Sequence, residues 1–317
     1  MTKPNLFRWS LGLTATVLPA TLILLVAFLC IQAWPAMHFN GLHFLVHNDW
    51  NLGSQYGTPV KVNGTTILPG AHYGILFLIA GTVLSSLIAL VLAVPIGVAA
   101  AVFLSEAVPG GVRDLIALFV ELLASVPSVV FGLWGYVVLI PFLSHHVFPV
   151  LAGALSFIPF FAPPTYSGYG LMTSGLVLCL MVVPLITANL RESAAAIPAE
   201  TREAARALGA TRFEVLLRVI IPELWRPLVG VTTLALGRAL GETMAVLMVS
   251  GNALGYLPQN IYSPISTMAA FIVSQLDSAL QDPTGMAVAS LTEIGLILLV
   301  ISLLVNGAAR MLLPRQA

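Results

Sequence analysis

Four ionisable side chains fall inside long apolar runs of this sequence: Glu121, Arg238, Glu242 and Glu293. A charged group at membrane depth is costly, so such residues pair with one another, face a water-filled space, or mark the path of a substrate or proton. Arg238 is the only basic member of the set. In the run Gly237-Arg238-Ala239-Leu240-Gly241-Glu242-Thr243-Met244-Ala245-Val246 it precedes Glu242 by four positions, so an uninterrupted helix would place both on one face. That pattern supports two chemistries. One is an ion pair that neutralises itself inside a helix bundle. The other is a guanidinium on the pathway of an oxyanion, which its planar fork of donors suits, with Glu242 holding it when the anion is absent. Arg ahead of Glu is the less favourable order for a surface helical pair, so local helix stability does not account for the placement. Three acids against one arginine argue against a simple anion-attracting pore unless some carboxyls are protonated or paired.

The second chemically distinctive stretch is Glu203–Pro222, the densest polar island in an otherwise apolar chain. Pro198 suits the first turn of a helix, and Ala204, Ala205, Ala207 and Leu208 continue it. Gly209 can take the left-handed conformation that ends a helix. Thr211 followed by Glu214 is a capping-box signal for a second helix, expected to run to about Pro222. The island is therefore a helix, a glycine turn and a helix between two hydrophobic spans.

The elements that position these residues follow from composition. The 317 residues are 58% hydrophobic and 8% charged, with mean hydropathy +0.98, whereas soluble domains carry about 25% charged residues. An all-α polytopic membrane protein is the class this implies. Thirteen basic and thirteen acidic residues cancel, which removes the case for a nucleic-acid partner. Six runs approach or exceed the ~20 residues that cross a bilayer as a helix: Leu11–Ala33, Tyr73–Leu104, Leu115–Phe142, Leu171–Leu190, Val229–Ser250 and Met286–Leu312. The first exceeds the ~7–15 residues of a signal-peptide core and reads as a retained transmembrane helix. Ser144–Gly170, broken by Pro149, Pro159, Pro163 and Pro164, does not count as a span, and Thr267–Leu280 reads as a helix at the membrane surface. The loop after the first run is turn-rich, with Asn63-Gly64 and Pro69-Gly70.

With the N-terminus in the cytosol, the inner segments hold every basic residue except Lys61 and Arg238, eleven in all, and the outer loops hold Lys61 alone. This positive-inside bias puts both termini and the Glu203–Pro222 hairpin in the cytosol. All six histidines then fall outside, as solvated loop residues. Cys30 and Cys179 lie within apolar runs, which leaves disulfide and metal readings weak. The chain's two lysines, Lys3 and Lys61, stand in no Gly-x-x-x-x-Gly-Lys-[Ser/Thr] phosphate loop, and no His-Glu-x-x-His occurs. An enzyme is disfavoured, no cofactor is expected, and any ATP that drives the protein binds to another subunit.

Glu203-Ala204-Ala205, three residues, Gly209, nine residues, then Val219, Ile221 and Pro222 resembles the Glu-Ala-Ala loop of ABC importer permeases, with Val219 and Ile221 in place of the usual Ile and Leu. Gly237–Val246, the segment Glu121–Gly135, and the outer loop with Asp49-Trp50-Asn51 and Tyr56-Gly57 resemble the phosphate-specific branch of that family, the PstC type, over essentially the whole chain. The resemblance implies a type I (MetI-like) importer permease fold with a single-helix and outer-loop region at 1–72 and a permease domain at 73–312 that contains the 191–226 cytoplasmic loop. It implies that Glu203, Ala204, Ala205, Gly209 and Pro222 form the coupling helix that docks on an ATPase, and that Arg238 and Glu242 take part in phosphate movement. The implied partners are a homologous PstA-type permease, a PstB-type ATPase dimer, a PstS-type phosphate-binding protein and membrane lipid. Pro127, Gly132 and Gly135 read as close helix packing rather than as a site. Two alternatives stay open: a permease for sulfate, molybdate or phosphonate, and a proton-coupled secondary transporter using Glu121, Glu242 and Glu293.

Overall fold

Apolar runs too long for a strand and too hydrophobic for a solvated face become helices that bury their small-residue faces against each other. A computed structural model of the chain describes residues 6–54, 56–62, 64–164 and 167–312, with side chains of residues 6–10, 309, 310 and 312 left undescribed. Lys3 and Arg315 of the charge argument, and Asn63 of the expected turn, lie outside the described residues, as do the side chains of Arg8 and Arg310. The helices in chain order are α1 (Leu6–Asn40), α2 (His43–Val46), α3 (Leu76–Glu106), α4 (Gly110–Ser125), α5 (Ser128–Ala154), α6 (Leu171–Ala195), α7 (Ala199–Ala207), α8 (Arg212–Leu240), α9 (Met244–Val249), α10 (Met268–Leu280) and α11 (Met286–Leu312). Six helices among the described residues are long and apolar enough to cross a membrane: α1, α3, α5, α6, α8 and α11. The chain divides into two units, one of residues up to Ile75 with Gln275–Leu299, the other of Leu76–Ser274 with residues from Val300 on.

In the first unit, two short antiparallel pairs follow α2: Trp50–Asn51 (β1) against His72–Tyr73 (β4), and Val60–Val62 (β2) against Thr65–Ile67 (β3). Pro69-Gly70 makes a turn with Gly70 at φ 78°. Glu293 is 5% exposed and accepts a hydrogen bond of 2.9 Å from Asn40 Nδ2, which ties the end of α1 to α11. This buried carboxylate is thus partnered by a neutral amide at the close of the first helix.

In the second unit, α3 and α6 form the principal helix pair, with Ala89, Ala93, Ala101, Leu178, Val182, Ile186 and Leu190 fully buried between and around them. Helix α3 is continuous through Pro95. Glycines let these helices touch: a Cβ on Gly132 would sit 2.9 Å from Ala245 Cα, and one on Gly135 would sit 3.0 Å from both Val177 and Val249 side chains. The packing reading of Gly132 and Gly135 is borne out.

Four expectations about these elements are corrected. The third span is α5, not Leu115–Phe142; Val126 and Pro127 take extended backbone, and α4 is a separate helix. Proline disfavours the α region for the residue before it, and here Val126 takes the extended alternative, which breaks the run. The apolar stretch from Ser144 belongs partly to this span, because α5 passes Pro141 and Pro149 through two π turns, Gly135–Leu139 and Leu143–Val147. A widened turn moves the carbonyl that a proline ring would strike and removes the need for its missing N–H. His145 and His146 therefore sit on a spanning helix rather than in a loop. The fifth span is α8, which begins at Arg212 and ends at Leu240, and not Val229–Ser250. Finally, α10 forms where a helix was expected but is no surface helix at its start: Met268, Ala270 and Phe271 are buried, and Met268 N–H donates to Thr82 Oγ1 at 2.9 Å.

Candidate functional site

The hairpin forms as its local signals require. Helix α7 ends in a Schellman pattern: the Ala210 N–H donates to Ala205 O at 3.2 Å and the Gly209 N–H to Arg206 O at 2.9 Å, with Gly209 at φ 88°. The capping box is complete, since Thr211 Oγ1 accepts from the Glu214 N–H at 3.3 Å and Glu214 accepts from the Thr211 N–H at 2.9 Å. Helix α8 does not stop at Pro222. It passes that proline through a π turn at Leu216–Ile220 and runs on as a membrane span, so the hairpin's second helix and the span are one continuous helix. On one side, Ala205, Val215, Ile220 and Leu224 pack with Ala194 and Val102. On the other, Glu203 and Ala204 are exposed, and Leu208 and Phe213 are 90% and 66% exposed on either side of the glycine turn. Two bulky apolar side chains thus stand open at the tip of a polar hairpin.

The hairpin is anchored by residues that sequence patterning did not single out. Arg202 Nη1 lies 3.0 Å from Glu106 Oε1 at the end of α3, a charge contact without hydrogen-bond alignment, and Arg202 Nη2 donates to Ala194 O at 2.6 Å. Glu121 pairs with Arg191 at 2.8 Å, half exposed on α4. It is therefore an ion-paired residue at the hairpin end of α6, not an unpaired acid at membrane depth. An acid at the end of an apolar run, as Glu106 is, and an arginine immediately before the motif, as Arg202 is, were the available signal. Contacts between residues so far apart in sequence leave no spacing to read.

Arg238 and Glu242 sit at the other end of α8. They do not share a helix face, because the helix ends at Leu240 and Gly241–Thr243 form a break before α9. Gly241 is a weak helix former, and the threonine after Glu242 adds little. Arg238 is exposed on the last turn of α8. Glu242 is half-buried in the break, and its Oε1 accepts from the Ala245 N–H at 3.3 Å, capping α9. Among the described residues the ion pairs are Arg113–Asp114, Arg191–Glu121 and Arg202–Glu106, so the expected Arg238–Glu242 pair is absent from this conformation. What the geometry offers is a guanidinium with its donors open beside an interruption in a spanning helix. Irregular backbone at membrane depth is tolerated where it is buried in protein or lines a water-filled cavity.

Comparison with known proteins decides the class. Residues 93–317 match the family described as binding-protein-dependent transport system inner membrane component. The chain belongs to this family. Relatives of this inner-membrane component include the phosphate transport system permease protein PstC 1 of Mycobacterium tuberculosis, 45% identical over 97% of this chain and 92% of that protein. The corresponding PstC of Pasteurella multocida is 35% identical over 98% and 91%. Among solved structures, the fold is similar to the MetNI methionine ABC transporter in an inward-facing conformation, with TM-score 0.51 at 16% identity over 75% of this chain and 95% of that one. It is also similar to a bacterial alginate ABC transporter in complex with an alginate-bound periplasmic protein, with TM-score 0.58 at 16% identity over 95% and 93%. The likeness to these structures is one of fold. The chain is thus an α-helical, multi-pass importer permease.

Proposed function

We propose that this chain is the permease subunit through which an ATP-driven importer moves inorganic phosphate, by alternating access. The observation that carries the reading is similarity along 97% or more of the chain to permeases named for phosphate transport, at 45% and 35% identity. Arg238 contacts the passing anion: its fork of donors is open, and it stands at the break between α8 and α9. Glu242 fixes that break by capping α9. It becomes a charge partner for Arg238 only in another conformation.

ATP is bound by a partner ATPase dimer of the PstB type, not by this chain. Glu203, Ala204, Ala205, Gly209 and Pro222 form the coupling hairpin, and the exposed Leu208 and Phe213 extend the docking face. Because α8 continues unbroken from hairpin to Arg238, a displacement of the hairpin moves the anion contact directly. A second, PstA-type permease completes the pathway, and a PstS-type binding protein delivers phosphate from outside. Both termini lie in the cytosol, in a bacterial cytoplasmic membrane. A proton relay through Glu121, Glu242 and Glu293 has less support, because these carboxylates are occupied by Arg191, the α9 cap and Asn40.

The test is uptake by the purified complex in liposomes with ATP available to the ATPase. Phosphate accumulation that requires ATP and resists an excess of sulfate or molybdate is expected. Phosphate uptake by this chain alone, driven by a proton gradient without ATP, would overturn the reading.

A further inference from the structure

A concentration of arginines lies far from Arg238, and the proposed anion pathway does not use it. A cavity of about 260 Å³ is lined by Ser105 at the end of α3, Arg113 and Asp114 at the start of α4, Arg191 and Ala195 in the last turns of α6, and Arg202 in α7. Arg238 lies at the opposite end of α8, ~40 Å along the helix from Arg212.

The cavity wall carries three guanidiniums against one carboxylate. The acids that balance Arg191 and Arg202, Glu121 and Glu106, are not part of the lining; they hold the two side chains at 2.8 and 3.0 Å. Each guanidinium has five N–H donors, and these contacts use few of them. Arg202 Nε is buried with no hydrogen-bond partner among the described residues. Arg113 makes only a loose 3.5 Å contact with Asp114 and is 42% exposed, free to close over a ligand. Arginines converging from three helices on a space this size are the arrangement that binds a tetrahedral oxyanion by forked donors. The same chemistry on the basic side of a membrane protein binds lipid phosphates.

We infer that this cavity binds a phosphate group, either the headgroup of an anionic lipid or free inorganic phosphate on the hairpin side. A bound phosphate would bridge α4 and α6 to Arg202 and so tie down the first helix of the hairpin. The binding site rests on the cavity alone; its effect on ATPase coupling rests on the proposed function of the hairpin.

The test uses the whole complex, with Cys30 and Cys179 of this chain replaced and Ser105→Cys introduced as a local reporter of the cavity. The rate at which Cys in place of Ser105 reacts with a soluble thiol reagent is followed in nanodiscs, with chloride of equal ionic strength as reference. If the ligand is free phosphate, inorganic phosphate slows the reaction in neutral phosphatidylcholine. If it is a headgroup, phosphatidylglycerol slows it without added phosphate. In either case Arg113→Gln should weaken protection roughly tenfold, the loss of one charge-assisted contact, and Asp114→Asn should strengthen it. Both positions are exposed enough to leave folding intact. Equal rates under all conditions, or protection indifferent to both substitutions, would overturn the inference. Protection together with unchanged phosphate-dependence of ATP hydrolysis would keep the site and remove its link to coupling.

Discussion

At the last turn of α8, Arg238 carries its charge toward open space rather than into an ion pair, and this changes what its removal should do. Breaking a buried pair strands the surviving charge at a cost of ~3–5 kcal/mol. Arg238 has no such partner among the described residues, so Arg238→Gln should yield normally assembled complex with phosphate uptake reduced at least tenfold. Arg238→Lys should restore only part of it, because an ammonium lacks the bidentate fork. Neutralising Glu242 as well should not rescue transport. The measurement is uptake normalised to complex in the membrane; normal uptake by Arg238→Gln would exclude the anion contact. The sequence made the types legible at this scale but not the pairings. Glu121 meets Arg191 70 positions on, and Asn40 meets Glu293 253 positions on, separations that no local spacing announces. The i,i+4 reading of Arg238 and Glu242 failed for a local reason, since it assumed a helix through Gly241. The half-buried Arg202–Glu106 contact gives a second residue-scale expectation. Glu106→Gln should loosen α7 from α3 and lower ATPase co-purification while the helices remain inserted, as measured by pull-down against membrane abundance.

Among the elements, the hairpin was the most legible because its signals are local: a proline start, a glycine with positive φ, and a capping box all act within a few residues. Span boundaries were less so, since hydropathy sees composition and not backbone. A proline can end a helix, as at Pro127, or be passed by a π turn, as at Pro141, Pro149 and Pro222. Which occurs depends on packing around it. The glycine turn supplies the element-scale prediction. At φ 88° Gly209 occupies a conformation that β-branched residues resist, yet a Cβ there would meet nothing within 4 Å. Gly209→Val should therefore strain only the turn: the chain inserts and the membrane core stays intact, while transport-linked ATP hydrolysis falls severalfold. Gly132→Val is the contrasting case. It forces a side chain against Ala245 and Met248 inside the bundle, and overpacking of this kind costs ~1–3 kcal/mol, so it should lower the amount of folded protein. Equal effects of the two substitutions on protein level would contradict this division between hinge and core.

For the molecule as a whole, the same hairpin, cavity and helix break acquire opposite meanings according to which side of the membrane they face. The orientation argument rests on charge: eleven basic residues on one set of segments against Lys61 on the other. The structure adds that Arg113, Arg191 and Arg202 of that set gather around a single cavity at the hairpin end. A protein inserted the other way would have to carry this cluster and the hairpin to the outer face. Single cysteines distinguish the two cases, in a background without Cys30 and Cys179. Ser54 lies exposed in the strand-bearing loop after α1, and Thr201 is exposed on α7. Ser54→Cys should react with a membrane-impermeant thiol reagent added to intact cells, and Thr201→Cys only after the membrane is opened. The exposure of both residues means that a failure to react reports the membrane barrier and not burial. The opposite labelling pattern would place the hairpin outside, where no ATPase could reach it, and would remove the coupling mechanism along with the orientation.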